Sequence, residues 1–315
     1  MTLMKMLILH FDADYMKKAL EPKFPELTIQ AATNEGDVGD FIEEAEILMA
    51  IHFSDQFMQR ARKLKWIQCI ISGVDRIVEL PSLRKDILLT SAKGIHGPQM
   101  SELAFLHMLN LNRNYQRMYR NQQEGIWDRW PQPLLYKKSV GILGVGVIGK
   151  ELARKCKSFG MTVYGIAHWK RDIEDVDYSF GPEGLLEVMS KVDFFINILP
   201  STSETKNLIG ERELSALKPS AFFINVGRGE TVDLDALIKL LKERKFAGAG
   251  LDIFTTPSLP KDNPLWYMDN VMITPQVGGM SDVYADQALP IFEENLRRYL
   301  KGERINLINF IEWNK

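Results

Sequence analysis

The sequence predicts an α/β protein built on parallel sheets. Three observations carry that prediction. Short apolar runs alternate with longer stretches of helical spacing. In the second half the runs are nearly free of polar residues, as expected of strands covered on both faces. A glycine-rich turn at residues 144–149 then joins one such run to a helical stretch.

Residues 6–9 (Met-Leu-Ile-Leu), 47–50 (Ile-Leu-Met-Ala) and 66–70 (Trp-Ile-Gln-Cys-Ile) are each too short for a helix and predict strands. Between them, Phe57, Met58, Ala61 and Leu64 predict a helix over 55–65. Strands separated by helices imply parallel pairing, because parallel neighbours need crossover connections. A helical stripe of Met100, Leu103, Leu106, Leu109 and Leu111 predicts one long helix over about 99–118, entered after Pro98, with Glu102 near its positive end. Residues 125–136 hold Trp127, Trp130, Pro131 and Pro133 and cannot form a regular helix. They predict an irregular arm whose tryptophans pack on a neighbouring element or meet a partner subunit. Beyond it, strands are expected at 140–143, 162–166, 193–199, 221–226, 248–253 and 271–274, with helices at 147–159 and 233–245.

Composition bounds the class. The 315 residues are 45% hydrophobic and 25% charged, ordinary for a globular chain, and their length predicts about two domains. Lys and Arg total 39 against 41 Asp and Glu, so the net charge of -2 argues against a nucleic-acid binder. No stretch reaches the ~20 apolar residues of a membrane helix. Asp12 and Asp14 interrupt the N-terminal apolar run before it could act as a signal peptide, so a cytoplasmic protein is expected. Cys69 and Cys156 alone make neither a disulfide framework nor a metal cluster, and no metal is expected.

The sequence Gly144-Val145-Gly146-Val147-Ile148-Gly149 follows a strand and opens a helix, the context that a dinucleotide-binding, Rossmann-like turn requires. Gly144 permits the tight turn, Gly146 admits a pyrophosphate to the backbone amides, and Gly149 lets helix and strand pack closely. The helix N-terminus offers unpaired amides to the phosphates. At the end of the next strand, where an acidic residue would accept the ribose hydroxyls, stands Ala167, followed by His168, Trp169, Lys170 and Arg171. Two fixed cations and no carboxylate favour NADP over NAD. A merely solvated basic loop, or Asp172 folding back onto it, are the alternatives.

Five stretches in order complete the pattern: 141–160, 199–205 (Leu-Pro-Ser-Thr-Ser-Glu-Thr), 225–229 (Asn-Val-Gly-Arg-Gly), 250–254 (Gly-Leu-Asp-Ile-Phe) and 274–279 (Thr-Pro-Gln-Val-Gly-Gly). Along nearly its whole length the chain resembles the D-isomer-specific 2-hydroxyacid dehydrogenases. The resemblance implies two Rossmann-like or flavodoxin-like domains. A dinucleotide-binding domain, residues 98–284, is inserted into a substrate domain made of 1–97 and 285–315. It implies a homodimer and hydride transfer between a nicotinamide cofactor, NADP or NAD, and a small 2-keto or D-2-hydroxy acid. Arg228 would clamp the substrate carboxylate and carbonyl, and the turn Ser72-Gly73-Val74 would add backbone amides. Cofactor contacts would come from Gly144, Gly146, Val147, Ile148 and Gly149, from His168, Lys170 and Arg171, and from Leu199, Pro200, Ser201 and Thr205 on the adenine side. Val226, Gly227, Arg228, Asp252, Gln276 and Gly278 would complete them, Asp252 holding the nicotinamide carboxamide. Without its motif, Arg228 would be read as a surface ion pair.

Two positions depart from the family. The acid–base His of its T-P-H motif is Gln276 here, and the Glu of D-V-F-x-x-E-P that orients the His is Pro257. Gln can polarise a carbonyl but cannot transfer a proton near neutral pH, and loss of a general acid typically costs ~10²–10⁴-fold. Of the five histidines, His96 is the candidate replacement, since it precedes the long helix at the domain hinge. The alternative is a hinge histidine bonded to backbone; His107, on that helix, is expected to serve packing or an interface. The catalytic set is therefore Arg228, Gln276 and His96. The function predicted is an NAD(P)-dependent oxidoreductase with atypical acid–base chemistry. The alternatives are an inactive dinucleotide-binding sensor or scaffold, and a hydride transfer that needs no general acid.

Overall fold

The computed structural model describes residues 3–256 and 258–313, apart from the side chain of Asp75. Along the chain come β1 (Met4–Leu9), α1 (Ala13–Leu20), β2 (Leu27–Ala32), α2 (Phe41–Glu44), β3 (Ile47–Ala50), α3 (Asp55–Arg60), β4 (Trp66–Cys69), α4 (Asp75–Val78) and β5 (Leu88–Ser91). Next are α5 (Gly97–Arg113), α6 (Tyr115–Gln123), β6 (Ser139–Leu143), α7 (Val147–Ser158), β7 (Thr162–Ile166), β8 (Tyr178–Phe180), α8 (Leu185–Lys191) and β9 (Phe194–Asn197). The last are α9 (Glu211–Ser215), β10 (Phe222–Asn225), α10 (Leu234–Lys242), β11 (Gly248–Leu251), β12 (Val271–Ile273) and α11 (Tyr284–Leu300). Two compact units result, Met1–Ile95 with Ser281–Lys315, and His96–Met280.

The first unit is a five-stranded parallel sheet of order β2-β1-β3-β4-β5, the flavodoxin-like winding. One face packs on α1 and α11 through Met16, Leu20, Phe292 and Leu296, with Trp66 fully buried among them. The Trp66 ring stacks 5.4 Å from Phe292 and 5.0 Å from Tyr299, and its indole N–H donates to Thr90 Oγ1 at 2.8 Å. That donation satisfies the one polar atom of a large buried side chain. The helix expected over 55–65 is shorter. Ser54 caps its start by accepting from the Phe57 amide, and it stops at Arg60 because Ala61 leaves helical geometry at ψ 62°.

The second unit is a seven-stranded parallel sheet of order β12-β11-β10-β9-β6-β7-β8, with apolar clusters on both faces. The winding reverses between β9 and β6, and in such sheets ligands bind at that reversal, off the carboxyl ends of the strands. The single long helix expected over 99–118 is two helices. Asn114 adopts φ 53°, ending α5, and its side chain accepts the Arg117 amide that opens α6. Asn tolerates this left-handed geometry, so one residue both stops and restarts the chain. Residues 125–136 form no helix or strand, and the two tryptophans part company. Trp130 lies under the Arg117 guanidinium, 4.1 Å from ring centre to carbon, whereas Trp127 is 93% exposed. Among the described residues, no helix is long and apolar enough to cross a membrane.

Candidate active site

The glycines of the β6–α7 turn behave as a phosphate cradle demands. Gly144 has φ +105°, a conformation side chains resist. A Cβ at Gly149 would stand 2.5 Å from the Gly144 carbonyl oxygen, so helix and turn meet only because it is absent. A Cβ at Gly146 would meet nothing within 4 Å, leaving open space beside the backbone. No side chain caps the first turn of α7, so its amides and its positive dipole end face outward. These features fit a dinucleotide pyrophosphate.

The basic loop follows β7. Ala167 is buried, His168 and Lys170 are exposed, and Arg171 stacks 4.7 Å from the Trp169 ring. Asp172 makes no ion pair with either cation among the described residues, so the two charges face solvent uncompensated. The adenine-side turn is held by its own hydroxyls: Thr205 donates to the Pro200 carbonyl at 2.7 Å and accepts from the Thr202 amide at 2.8 Å. Leu199 and Ser201 flank it, half-buried.

The loops at the ends of β9, β10, β11 and β12 are welded into one edge. A Cβ at Gly227 would strike Leu199, at Gly229 it would strike the backbone of Phe254 and Thr255, and at Gly278 it would strike Leu103 of α5. Val226 is buried beneath this edge. Arg228, half-buried, donates from Nη1 to the Gly227 carbonyl at 2.9 Å and has no carboxylate partner among the described residues. Among the described residues, the surface ion pair that its sequence alone would suggest is not formed. Its loop rests on polar side chains that sequence reasoning missed. Asn197, fully buried, donates to Asn225 Oδ1 at 2.9 Å and to Thr231 Oγ1 at 2.7 Å. Thr231 in turn donates to the Arg228 carbonyl at 2.7 Å, and Asn225 Oδ1 accepts the Gly227 amide at 3.1 Å. The available signal was an amide residue closing an otherwise apolar strand, at Asn197 as at Asn225.

Asp252 is 4% exposed, and its carboxylate is already engaged. Oδ1 accepts the Thr274 hydroxyl at 2.6 Å and the Val277 amide at 3.1 Å; Oδ2 accepts the Gly278 amide at 3.1 Å. It holds the 274–279 loop in shape. Since Thr274 spends its proton on Asp252, the 3.2 Å contact between Thr274 Oγ1 and His107 Nε2 must be donated by the imidazole. That leaves His107 Nδ1 bare and buried, and burial pushes its pKa down to about 4. His107 is thus a fixed neutral donor within the unit.

Gln276 stands on the same loop at φ +55°, its amide donating to the Asp252 carbonyl at 2.9 Å. Its exposed side chain has no hydrogen-bond partner among the described residues and lines a cavity of about 110 Å³ with Asp252, Phe254, Trp266 and Thr274. His96, at the start of α5, is 8% exposed, and a Cβ on Gly279 would lie 3.7 Å from its ring. Burial, then the charge of Arg228, lower its pKa to about 4. At neutral pH it carries no proton to give as an imidazolium. Ser72, Gly73 and Val74 follow β4 in the other unit, each half-buried. Pro257 lies outside the described residues.

The chain is similar to known proteins. The family model for the "D-isomer specific 2-hydroxyacid dehydrogenase, NAD binding domain" covers residues 105–278. A D-3-phosphoglycerate dehydrogenase of Methanocaldococcus jannaschii is 30% identical over 90% of this chain, which spans 55% of that protein's length. A glyoxylate reductase of Korarchaeum cryptofilum is 31% identical over 81% of this chain and 79% of its own. The crystal structure of a D-isomer specific 2-hydroxyacid dehydrogenase from Xanthobacter autotrophicus, in complex with NADPH and MES, superposes with a TM-score of 0.83 at 28% identity and covers 99% of each chain. The chain belongs to the D-isomer specific 2-hydroxyacid dehydrogenase family.

Proposed function

We propose that this protein is an NAD(P)-dependent oxidoreductase that transfers a hydride between a nicotinamide cofactor and a small 2-keto or D-2-hydroxy acid, without a histidine general acid at position 276. The observation that carries this reading is Arg228. A half-buried guanidinium with no carboxylate partner among the described residues, on the same sheet edge as a dinucleotide cradle, is a fork waiting for a small anion.

Bound at the cradle, the reduced nicotinamide supplies the hydride. The chain's residues do the rest. Gly144, Gly146 and the first amides of α7 hold the pyrophosphate. Lys170 and Arg171 receive a 2′-phosphate, and Trp169 keeps the Arg171 plane in place. The NADPH held by the Xanthobacter relative supports the same preference. Arg228 orients the substrate carboxylate and polarises the reacting carbonyl. Gln276 donates a hydrogen bond where charge develops. The exposed Trp127 arm is assigned to a homodimer contact, which sedimentation of wild type against Trp127→Ser checks.

A panel of 2-keto acids with NADPH and NADH, combined with cofactor titration by fluorescence, tests the reading. NADPH should bind roughly tenfold tighter than NADH, a margin lost when Lys170 and Arg171 both become Ala. Arg228→Lys should cut turnover by roughly 10²-fold, because an ammonium cannot form the bidentate fork. Intact cofactor binding with no turnover of any keto acid would make the protein a sensor or scaffold instead.

A further inference from the structure

We propose that the substrate this site favours is a 2-iminium acid, formed when a 2-keto acid condenses with a small amine, rather than the free keto acid. The proposal rests on the oxidoreductase reading and names its substrate class. It follows from what stands at position 276 and beside Arg228. Gln276 is pinned by its backbone to Asp252 and lines the cavity beside that residue, its side chain without a hydrogen-bond partner among the described residues. An amide offers a donor and an acceptor but no transferable proton. His96, the imidazole next to Arg228, is nine-tenths buried. Burial and that guanidinium keep it neutral.

The two reductions differ in their need for a proton. When a carbonyl carbon takes a hydride, the C=O π pair moves to oxygen, and the alkoxide must be protonated as it forms. When an iminium carbon takes a hydride, the C=N π pair moves to a nitrogen that already bears its proton and its positive charge. The product is a neutral amine, and nothing has been asked of the enzyme. The hydride comes from the reduced nicotinamide, which leaves oxidised, and the amine takes its further proton from water.

The charges also agree. The iminium nitrogen is positive, so a protonated histidine at position 276 would repel it, whereas the Gln276 carbonyl oxygen can accept its N–H. The substrate's own carboxylate pairs with Arg228, and within the zwitterion that carboxylate already balances the iminium charge.

The test uses the full chain with NADPH or NADH and pyruvate, with and without methylamine, the products being resolved by mass spectrometry. N-methylalanine should exceed lactate by at least roughly tenfold once methylamine is present, since the uncatalysed deficit in protonation falls only on the ketone. Lactate formed at a rate methylamine does not change would overturn the proposal and leave the oxidoreductase reading standing. No product from either mixture, with cofactor bound, would overturn both. A binding measurement makes the same distinction without turnover. By calorimetry, N-methylpyridinium-2-carboxylate, a stable cationic C=N mimic, should bind wild type more tightly than oxamate. Gln276→His near pH 6 should reverse that order, and the same order in both proteins would count against the proposal.

Discussion

The loop that carries Arg228 is held by buried polar side chains beneath it. Asn197, Asn225 and Thr231 form a buried hydrogen-bonded set that accepts or donates at Gly227 and at the Arg228 carbonyl. Each buried polar atom left without its partner costs about 1–3 kcal/mol, so the set is stable only when complete. Asn197→Leu should therefore destabilise the protein by about 2 kcal/mol, read from a denaturant midpoint. It should also reduce turnover more than cofactor affinity, because the loop it releases carries Arg228 and not the glycine cradle. Equal losses in both would mean that the set supports the sheet as a whole. The sequence disclosed Arg228 through its motif, but not these supports. Periodicity reports that a residue is buried, never which buried partner its amide meets.

At the scale of elements, what was legible follows position in the sheet. Strands in sheet interiors, such as β1, β3, β6, β9 and β10, show themselves as apolar runs. The unpredicted strands β2, β5 and β8 are all at the ends of their sheets; β5 is buried and bonds outward to residues 309–311, but Thr90 and Ser91 break its apolar run. β2 alternates buried and exposed positions at its start, and β8 is a three-residue strand with no buried residue. Helix α5 carries a pH dependence of its own through His96 at its start and His107 within it. Both imidazoles remain neutral in the fold down to about pH 4, whereas an unfolded chain protonates them near 6.5. As pH falls through that window the unfolded state takes up protons first, so stability is lost from about 6.5 toward 4, by roughly 3 kcal/mol per imidazole at the acid end. His107→Gln should flatten the fall in Tm between pH 6.5 and 4. His10 and His52, also lowered by burial, would retain part of it. An unchanged slope would mean that His107 is already charged in the fold.

Across the whole molecule, two parallel sheets of different winding share one chain, and the unit that holds the smaller sheet is assembled from both chain ends. Local pattern foretold the sheets; the inserted arrangement came only from the order of five motifs, since no single stretch encodes which ends meet. The departure at position 276 was legible at once, because one residue type decides whether a proton can be given. Its consequence is the centre of the proposal: Arg228 as carboxylate clamp, with Gln276 standing where a proton donor is expected. The direct test restores the pair by Gln276→His with Pro257→Glu and compares 2-keto acid reduction with wild type at equal cofactor saturation. Keto acid turnover should rise by about 10²-fold or more at that equal saturation. No gain, or a loss, with cofactor still bound would contradict the account and assign the reaction's proton to another group.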